Sequence, residues 1–567
     1  MLQNIEKITL EINGMTCGGC SSHIEKDMNK TNGIVSSIVN HETGIGEFTF
    51  DTSKTDKEEL INAVNSIGNY SVIDGVEKET IVVSNSESNT INDSSSDKNN
   101  YDLIIIGGGS AAFSAAIKAE GLGLTTLMVN AGLDFGGTCV NVGCVPSKNL
   151  IRAGETVYHA THSNFKGIKP RGVDIDFKQI IKDKKELVSA LQQQKYIDVV
   201  SDFENLTMQK GWAEFVNMNT IIVDGEDTYT ATNIVIATGA TTNIPDIEGL
   251  NNVGYLTNVS LFDLEEKPES LTIMGAGYIG LEIAMAYNRL GVKVRIIEFT
   301  DRPLRTQTKD ITDVLEVQMK SEGIEILANF RAFKFEKQGS DTIIHCNCPD
   351  GSTTQIIEKG HIVVATGTKP NTSKLGLENI DIQLTEKNHI VVNEKMETNV
   401  SNIYAAGDVA NTPAFVYTAA TEGSTVVNNA FSLSKNSVDY ASLPWVVFTD
   451  PQIAGAGMDE KEAEKAGFPF EVSKLDLIHV PRALAAQDTR GFIKLIRNTE
   501  TDKLIGARVI APEGGELIQQ LSMAIKYGIT VKDLAESFYP YLTLGEGIKL
   551  AAITFGKDVS KLSCCAS

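Results

Sequence analysis

The chain has 567 residues, too many for one hydrophobic core, so several domains are expected. Its 73 acidic against 50 basic side chains leave a formal charge of −23, which argues against a nucleic-acid partner or an anionic membrane surface and favours a small-molecule one. The opening residues, MLQNIEKITLEI, carry charge every few positions and no apolar run reaches the length that crosses a bilayer, so neither signal peptide nor anchor is expected and the cytoplasm is the expected compartment. There thiols stay reduced. Eight cysteines arranged as CGGC, CVNVGC, CNC and CC therefore point to metal binding or catalysis rather than to a disulfide framework.

From the N-terminus, KITLEI, CSSHIEKDMNKT, IVSSIVNH, GEFTF, KEELINAVNSI and NYSVI spell β-α-β-β-α-β over residues 1–74, a ferredoxin-like module. GMTCGGC, at 14 to 20, falls between its first strand and first helix, which puts Cys17 and Cys20 at a helix N-terminus that favours thiolates. A thioredoxin-like redox motif and half a zinc ribbon are the other readings; the element order opposes the first, and the absence of another CxxC opposes the second. The stretch resembles the heavy-metal-associated domain of metallochaperones and metal pumps. That resemblance implies metal binding by Cys17 and Cys20, with Met15 packed beneath the loop; His23 reads as a surface residue. Residues 75–100, rich in Ser, Asn and Asp, bury too little apolar surface to order themselves and read as a flexible linker. A module so tethered raises the local concentration of captured metal near the rest of the chain.

YDLIIIGGGSAAFSAAIKAEG then runs an apolar strand into Gly107-x-Gly109-x-x-Ala112 and an Ala-rich helix, a pattern that lets backbone amides approach a pyrophosphate. The acid expected at the ribose after the second strand is replaced by Asn130. GGTCVNVGCVPSK, residues 136 to 148, follows. Cys139 and Cys144, with four residues between them, are expected on adjacent turns at the start of a helix, where amides lower a thiol pKa and the pair can bridge. A zinc half-site would need a second matching pair nearby.

A second strand–glycine–helix unit, IMGAGYIGLEIAMAYNRLG, carries Gly275-x-Gly277-x-x-Gly280. The next strand, VRIIEF, ends in Glu298, which favours the free 2′-hydroxyl of NADH, but Arg302 and Arg305 follow and either could turn onto the 2′-phosphate of NADPH. Cys346 and Cys348 of TIIHCNCPDG face one side of a strand and read as structural. From about residue 441, WVVFTD, GFIKLIRN and LIGARVIAP alternate with amphipathic helices in a separate C-terminal sheet domain. The chain closes on KLSCCAS. A vicinal disulfide between Cys564 and Cys565 would be a strained ring, so the pair suits a soft-metal clamp or redox relay, unless it is an idle tail.

The first fingerprint, CVNVGC, IVIATGA at 234 to 240, the second fingerprint, IVVATGTKPN at 362 to 371 and NIYAAGDVA at 402 to 410 occur in the order found in the FAD-dependent pyridine nucleotide-disulfide oxidoreductases, and residues 100–567 resemble that class I family throughout. The resemblance implies an α/β and α+β multidomain fold: Rossmann-like FAD domain (101–250 and 371–440), Rossmann-like NAD(P) domain (251–370) and α+β dimerisation domain (441–567) of a homodimer. It implies FAD contacts at Gly107, Gly109, Ala111, Ala112, Gly132, Thr138, Lys148, Ala213, Gly239, Asp408 and Val416, and NADPH or NADH contacts at Gly275, Gly277, Gly280, Glu298 and Arg302 beneath a Tyr278 lid. Cys144 becomes the thiolate nearest the flavin, and Cys139 the exchanging thiol.

Disulfide-reducing members carry an acid–base histidine in a His-Pro motif near the C-terminus. Here SFYPYLTLGEG, 537 to 547, has none; Tyr539 or Tyr541 takes the place, and a phenol of pKa ~10 is a poor proton shuttle at neutral pH but can hydrogen-bond a ligand. With the tail LAAITFGKDVSKLSCCAS, the segment resembles the mercuric reductase branch of the family. That implies Hg(II) as substrate, reduced to Hg(0) for detoxification, with Cys564 and Cys565 passing the ion to Cys139 and Cys144 of the opposite subunit and Tyr541 beside it. A high-molecular-weight thioredoxin-reductase-like protein disulfide reductase and a metal-buffering protein that keeps FAD as structure are the alternatives. The missing histidine and the N-terminal module weigh against the first.

Overall fold

A computed structural model describes residues 5–15, 18–41, 43–67, 70–73 and 99–559. Cys17, Cys564, Cys565 and the expected linker up to residue 98 lie outside the described residues. The chain divides into two compact units, one within residues 1–96 and one from residue 97 on. Among the described residues no helix is long and apolar enough to cross a membrane.

The N-terminal unit has the expected order: β1 (Ile5–Asn13), α1 (Gly18–Met28), β2 (Ile34–Asn40), β3 (Ile45–Asp51), α2 (Lys57–Ser66) and β4 (Ser71–Val72). Its antiparallel sheet runs β2-β3-β1-β4. Period-two alternation puts Leu10, Ile12, Phe48 and Phe50 on one face, and Ile24, Met28, Leu60 and Val64 of the helices close over it. Asp56 caps α2 by accepting the Glu59 N–H at 2.8 Å. His23 is exposed as expected, near Asp27 at 3.4 Å.

The larger unit opens with β5 (Asn100–Ile106), α3 (Ser110–Glu120) and β6 (Thr126–Asn130). The unbroken apolar run of β5 marks a strand covered on both faces, and it pairs in parallel with β6 and with β10 (Asp227–Ile236). Between them in sequence come α4 (Gly137–Asn141), α5 (Cys144–Thr161), α6 (Phe177–Gln192), β7 (Leu206–Lys210), β8 (Ala213–Asn217) and β9 (Thr220–Val223). The sheet runs β7-β6-β5-β10-β9-β8, and strand Ile403–Ala405 joins it beside β10, so a segment beyond residue 400 completes a layer begun at residue 100.

A second parallel sheet orders Glu325–Ala328, Lys293–Glu298, Ser270–Met274 and His361–Val364. A three-stranded antiparallel sheet beside it buries Cys346 completely; Cys348 sits in the turn after its strand. The C-terminal sheet is antiparallel, ordered Trp445–Val447, Gln452–Gly457, Leu504–Ala511, Phe492–Asn498 and Phe470–Asp476, and packs against helices Gly514–Lys526 and Glu546–Ile553.

A buried ion cluster ties these layers together. Arg289, ending the helix Tyr278–Arg289, donates to Glu322 at 2.6 and 2.8 Å and to Asp450 at 2.9 Å, and the Tyr158 ring of α5 lies 4.0 Å beneath its guanidinium. Arg490 donates to the other Asp450 oxygen at 2.8 Å. Removing one partner from such a cluster leaves a buried charge uncompensated. Arg289→Met is therefore expected to cost about 3–5 kcal/mol of stability, read as a lower thermal-unfolding midpoint; an unchanged midpoint would contradict it.

Candidate active site

The turn from β5 into α3 is built for a phosphate. Gly107 has φ +137°, and a Cβ there would lie 2.1 Å from the Ala237 carbonyl oxygen. The first amides of α3 have no side-chain cap, since Gly109 occupies the N-cap. They border a cleft of about 720 Å³ lined by Gly107, Gly109, Asn130, Gly132, Thr138 and Gly239, with Ala213 at its far wall. Asn130 donates one amide N–H to the Leu133 carbonyl at 2.8 Å, which leaves its side-chain oxygen and a second N–H for a ligand. Size, glycine backbone and exposed helix amides fit a dinucleotide. Ala111 and Ala112 face the other way, into the packing of α3.

Cys139 and Cys144 do not share a helix as expected. Cys139 lies within α4, Cys144 is the first residue of α5, and the helical run breaks at Val142 and Gly143, where a Gly143 Cβ would stand 2.8 Å from the Thr138 carbonyl oxygen. Across this break the sulfurs lie within hydrogen-bonding reach as free thiols. The Cys139 hydrogen bond pulls the Cys144 pKa down to about 7, with help from the Lys148 charge and against burial. The same bond, with burial, pushes the Cys139 thiol up. One proton is thus kept on Cys139 and the negative charge sits on Cys144.

Lys148, one turn into α5, is itself fixed. Its ammonium lies 2.7 Å from Glu282 and 4.4 Å from the centre of the Phe448 ring, while the other Glu282 oxygen accepts the Phe448 N–H at 3.0 Å. Tyr278 opens the helix that carries Glu282; its ring lies 5.9 Å from Trp445, and burial pushes its phenol pKa up. Val416 begins the helix Val416–Phe431, and the rings of its two sequence neighbours, Phe415 and Tyr417, stack on each other with centroids 5.3 Å apart. Asp408 follows strand Ile403–Ala405, its carboxyl pKa raised by burial and then by Glu422.

A second cleft of about 650 Å³ lies between α3 and the helix Val416–Phe431, lined by Ser110, Phe113, Tyr196, Val416 and Tyr417 among others. The Tyr196 hydroxyl is 3.2 Å from Ser110 Oγ, and its pKa is raised first by burial, with Cys139 and Cys144 contributing. The sequence reading missed Tyr196 and Tyr417. Tyr417 adjoins an expected ligand residue and could have been found; Tyr196 lies in a polar helical run with no local signal. Tyr541 is exposed, Tyr539 is half-buried, and Cys20 stands in the first turn of α1. Among the described residues no group of three or more His, Cys, Asp or Glu could hold a metal ion.

A model of the pyridine nucleotide-disulphide oxidoreductase family matches residues 101–423, its dimerisation-domain model matches 443–552, and a heavy-metal-associated domain model matches 9–70. A mercuric reductase of Staphylococcus aureus is 38% identical over 566 residues, 100% of both chains. One from Streptomyces lividans is 40% identical over 471 residues, 82% of this chain and 98% of that one. A solved Cu(II) complex of the HOCl-induced flavoprotein disulfide reductase RclA from Escherichia coli superposes with a TM-score of 0.72 at 27% identity, over 81% of this chain and 100% of that one.

The coupled dithiol sets a pH dependence. Thiolate on Cys144 is expected to appear as pH rises through about 7 and to be lost below it. Lys148→Met removes the nearby cation and is expected to move that transition to about 8 or above. Ultraviolet thiolate absorbance of the reduced protein, with Cys144→Ser as reference, checks both; an unmoved transition in Lys148→Met would overturn the electrostatic assignment.

Proposed function

The chain belongs to the pyridine nucleotide-disulphide oxidoreductase family, and from that premise we propose that it reduces Hg(II) to Hg(0) at the expense of NAD(P)H. One pairing carries the reading: a dithiol poised as thiol and thiolate, combined with a C-terminal segment, 537 to 547, that offers Tyr539 and Tyr541 and no histidine. A disulfide substrate needs a proton for its leaving thiol; a soft cation bound by sulfur needs none.

FAD fits the glycine-lined cleft between Gly107, Asn130, Thr138 and Gly239. When bound, it supplies the two-electron relay between nicotinamide and thiols. The chain's own groups do the rest. Cys564 and Cys565 of the partner subunit capture Hg(II) from its thiol complex and hand it to Cys139 and Cys144 by exchange, each incoming sulfur displacing another so that the ion is never without ligands. Cys144 enters as thiolate, and Cys139 releases its proton as it binds. Two electrons convert the ion to neutral metal, which leaves because it has lost its affinity for thiolate; the net change is NAD(P)H + Hg(II) → NAD(P)⁺ + H⁺ + Hg(0). Lys148, held by Glu282 and Phe448, keeps the positive field on the dithiol.

Cys17 and Cys20 of the heavy-metal-associated module act as a first capture site and are dispensable for the chemistry. The stretch of sequence that ends before β5 joins that module to the rest of the chain. The dimerisation domain joins two subunits into a homodimer, and a need for reduced thiols and a nicotinamide supply supports a cytoplasmic location.

Outer partners of metal ligands are worth about 10–100-fold in affinity or activity, so losing the capturing ligands themselves should cost about 100-fold or more. In the Cys564→Ser, Cys565→Ser double variant, Hg(0) release from thiol-complexed Hg(II) is expected to fall by that factor while NAD(P)H still bleaches the flavin. Mercury release at the unmodified rate would overturn the assignment.

A further inference from the structure

The second glycine loop is shaped like the first but differs in charge. A Cβ at Gly280 would stand 2.1 Å from the Gly275 carbonyl oxygen, so helix and strand touch, whereas a Cβ at Gly277 would meet nothing within 4 Å. Open space therefore lies over the N-terminus of the helix Tyr278–Arg289, where a pyrophosphate fits. Beside this loop, Glu298 ends the strand Lys293–Glu298 at only 6% exposure. One of its oxygens accepts the Ala276 N–H from the glycine loop at 2.7 Å, and the other accepts the Thr300 N–H at 2.7 Å. Two backbone amides thus hold the carboxylate in place, and each oxygen retains capacity for a further donor.

Of the two arginines that could have reversed this charge, Arg302 is committed elsewhere and Arg305 is an exposed side chain in a weak surface pair. Arg302 is folded back on its own loop: its guanidinium lies 3.0 Å from Asp301 and donates to the carbonyls of Arg305 at 3.2 Å and Gln307 at 3.0 Å. Arg305 lies 3.5 Å from the other Asp301 oxygen. Phe299, directly after Glu298, is 71% exposed and brings no charge.

From this arrangement we infer that the reductant is NADH rather than NADPH, with Glu298 as the residue that sets the choice; this rests on the reading above that the Gly275–Gly280 loop receives the nicotinamide nucleotide. A ribose 2′-hydroxyl can donate to the pinned carboxylate. A 2′-phosphate would bring two negative charges against a buried third, and reaching Arg302 would require breaking its bonds to Asp301 and two carbonyls.

The test uses the FAD-loaded full chain under anaerobic conditions without Hg(II), following flavin bleaching by stopped flow. The half-saturating concentration is expected to be lower for NADH than for NADPH by about 100-fold or more. Glu298→Gln, and independently Phe299→Arg at its exposed position, are each expected to narrow that gap. Calorimetric titration with NAD⁺ and NADP⁺ should show the same order of affinity. Equal or better bleaching by NADPH, or a gap that neither substitution narrows, would overturn the inference. Because no mercury is present, a failed mercury assay would bear on the proposed function alone, and a failed preference on Glu298 alone.

Discussion

Burial raises the pKa of both Cys139 and Cys144, and left to itself would keep both sulfurs protonated and inert. The hydrogen bond between them breaks that symmetry: the proton stays on Cys139, and Cys144 becomes an anion near neutral pH. Everything around the pair serves to hold it. The break at Gly143 lets the sulfurs meet, Cys144 sits at the amide end of α5 as its first residue, and Lys148 stands one turn further on. That lysine is positioned by Glu282 from the second nucleotide-binding layer and by Phe448 from the start of the C-terminal domain. Three distant stretches of sequence therefore converge on one charge.

This convergence explains what could be read in advance. Strand–glycine–helix turns are local, because the backbone conformation and the residues that permit it are neighbours in sequence, so both nucleotide loops and the CVNVGC centre were visible. The N-terminal module was equally legible, since alternation along β1 and β3 and the Asp56 cap of α2 are local signals too. Glu282 was not. It lies within an apolar helix whose fingerprint drew attention to its first turn, and its two partners are 134 and 166 residues away. Arg289 and Glu322 read as ordinary charges on helix faces until Asp450 closes the cluster from the C-terminal domain. The division of the dithiol between two helices was hidden for another reason: CVNVGC has the composition of one helix start, and only the close pass of Gly143 over Thr138 shows a break.

Charge alone would lead an acidic chain that handles a doubly charged cation to use its carboxylates. The described residues instead offer one sulfur pair at the site, Cys139 with Cys144, and no cluster of three or more metal-ligating side chains. Two thiolates satisfy a soft ion of low coordination number, and a third fixed ligand would turn a transfer point into a store. Exchange between pairs stays fast because a two-coordinate ion remains open to an incoming third sulfur, which displaces one of the first two.

The two nucleotide loops make a related distinction. Both use glycine to bring backbone amides to a pyrophosphate, yet the position that ends the second strand is an amide in one, Asn130, and a carboxylate in the other, Glu298. A resident cofactor binds once and then stays, so its site gains little from discriminating against a phosphorylated analogue; a neutral acceptor suffices, without the cost of a buried charge. The reductant is exchanged at every turnover and meets its 2′-phosphorylated counterpart each time. There a charge is useful for what it repels as well as for what it accepts, and two backbone amides hold it in position. Discrimination by charge thus falls at the one of the two loops where the nucleotide has to be chosen repeatedly.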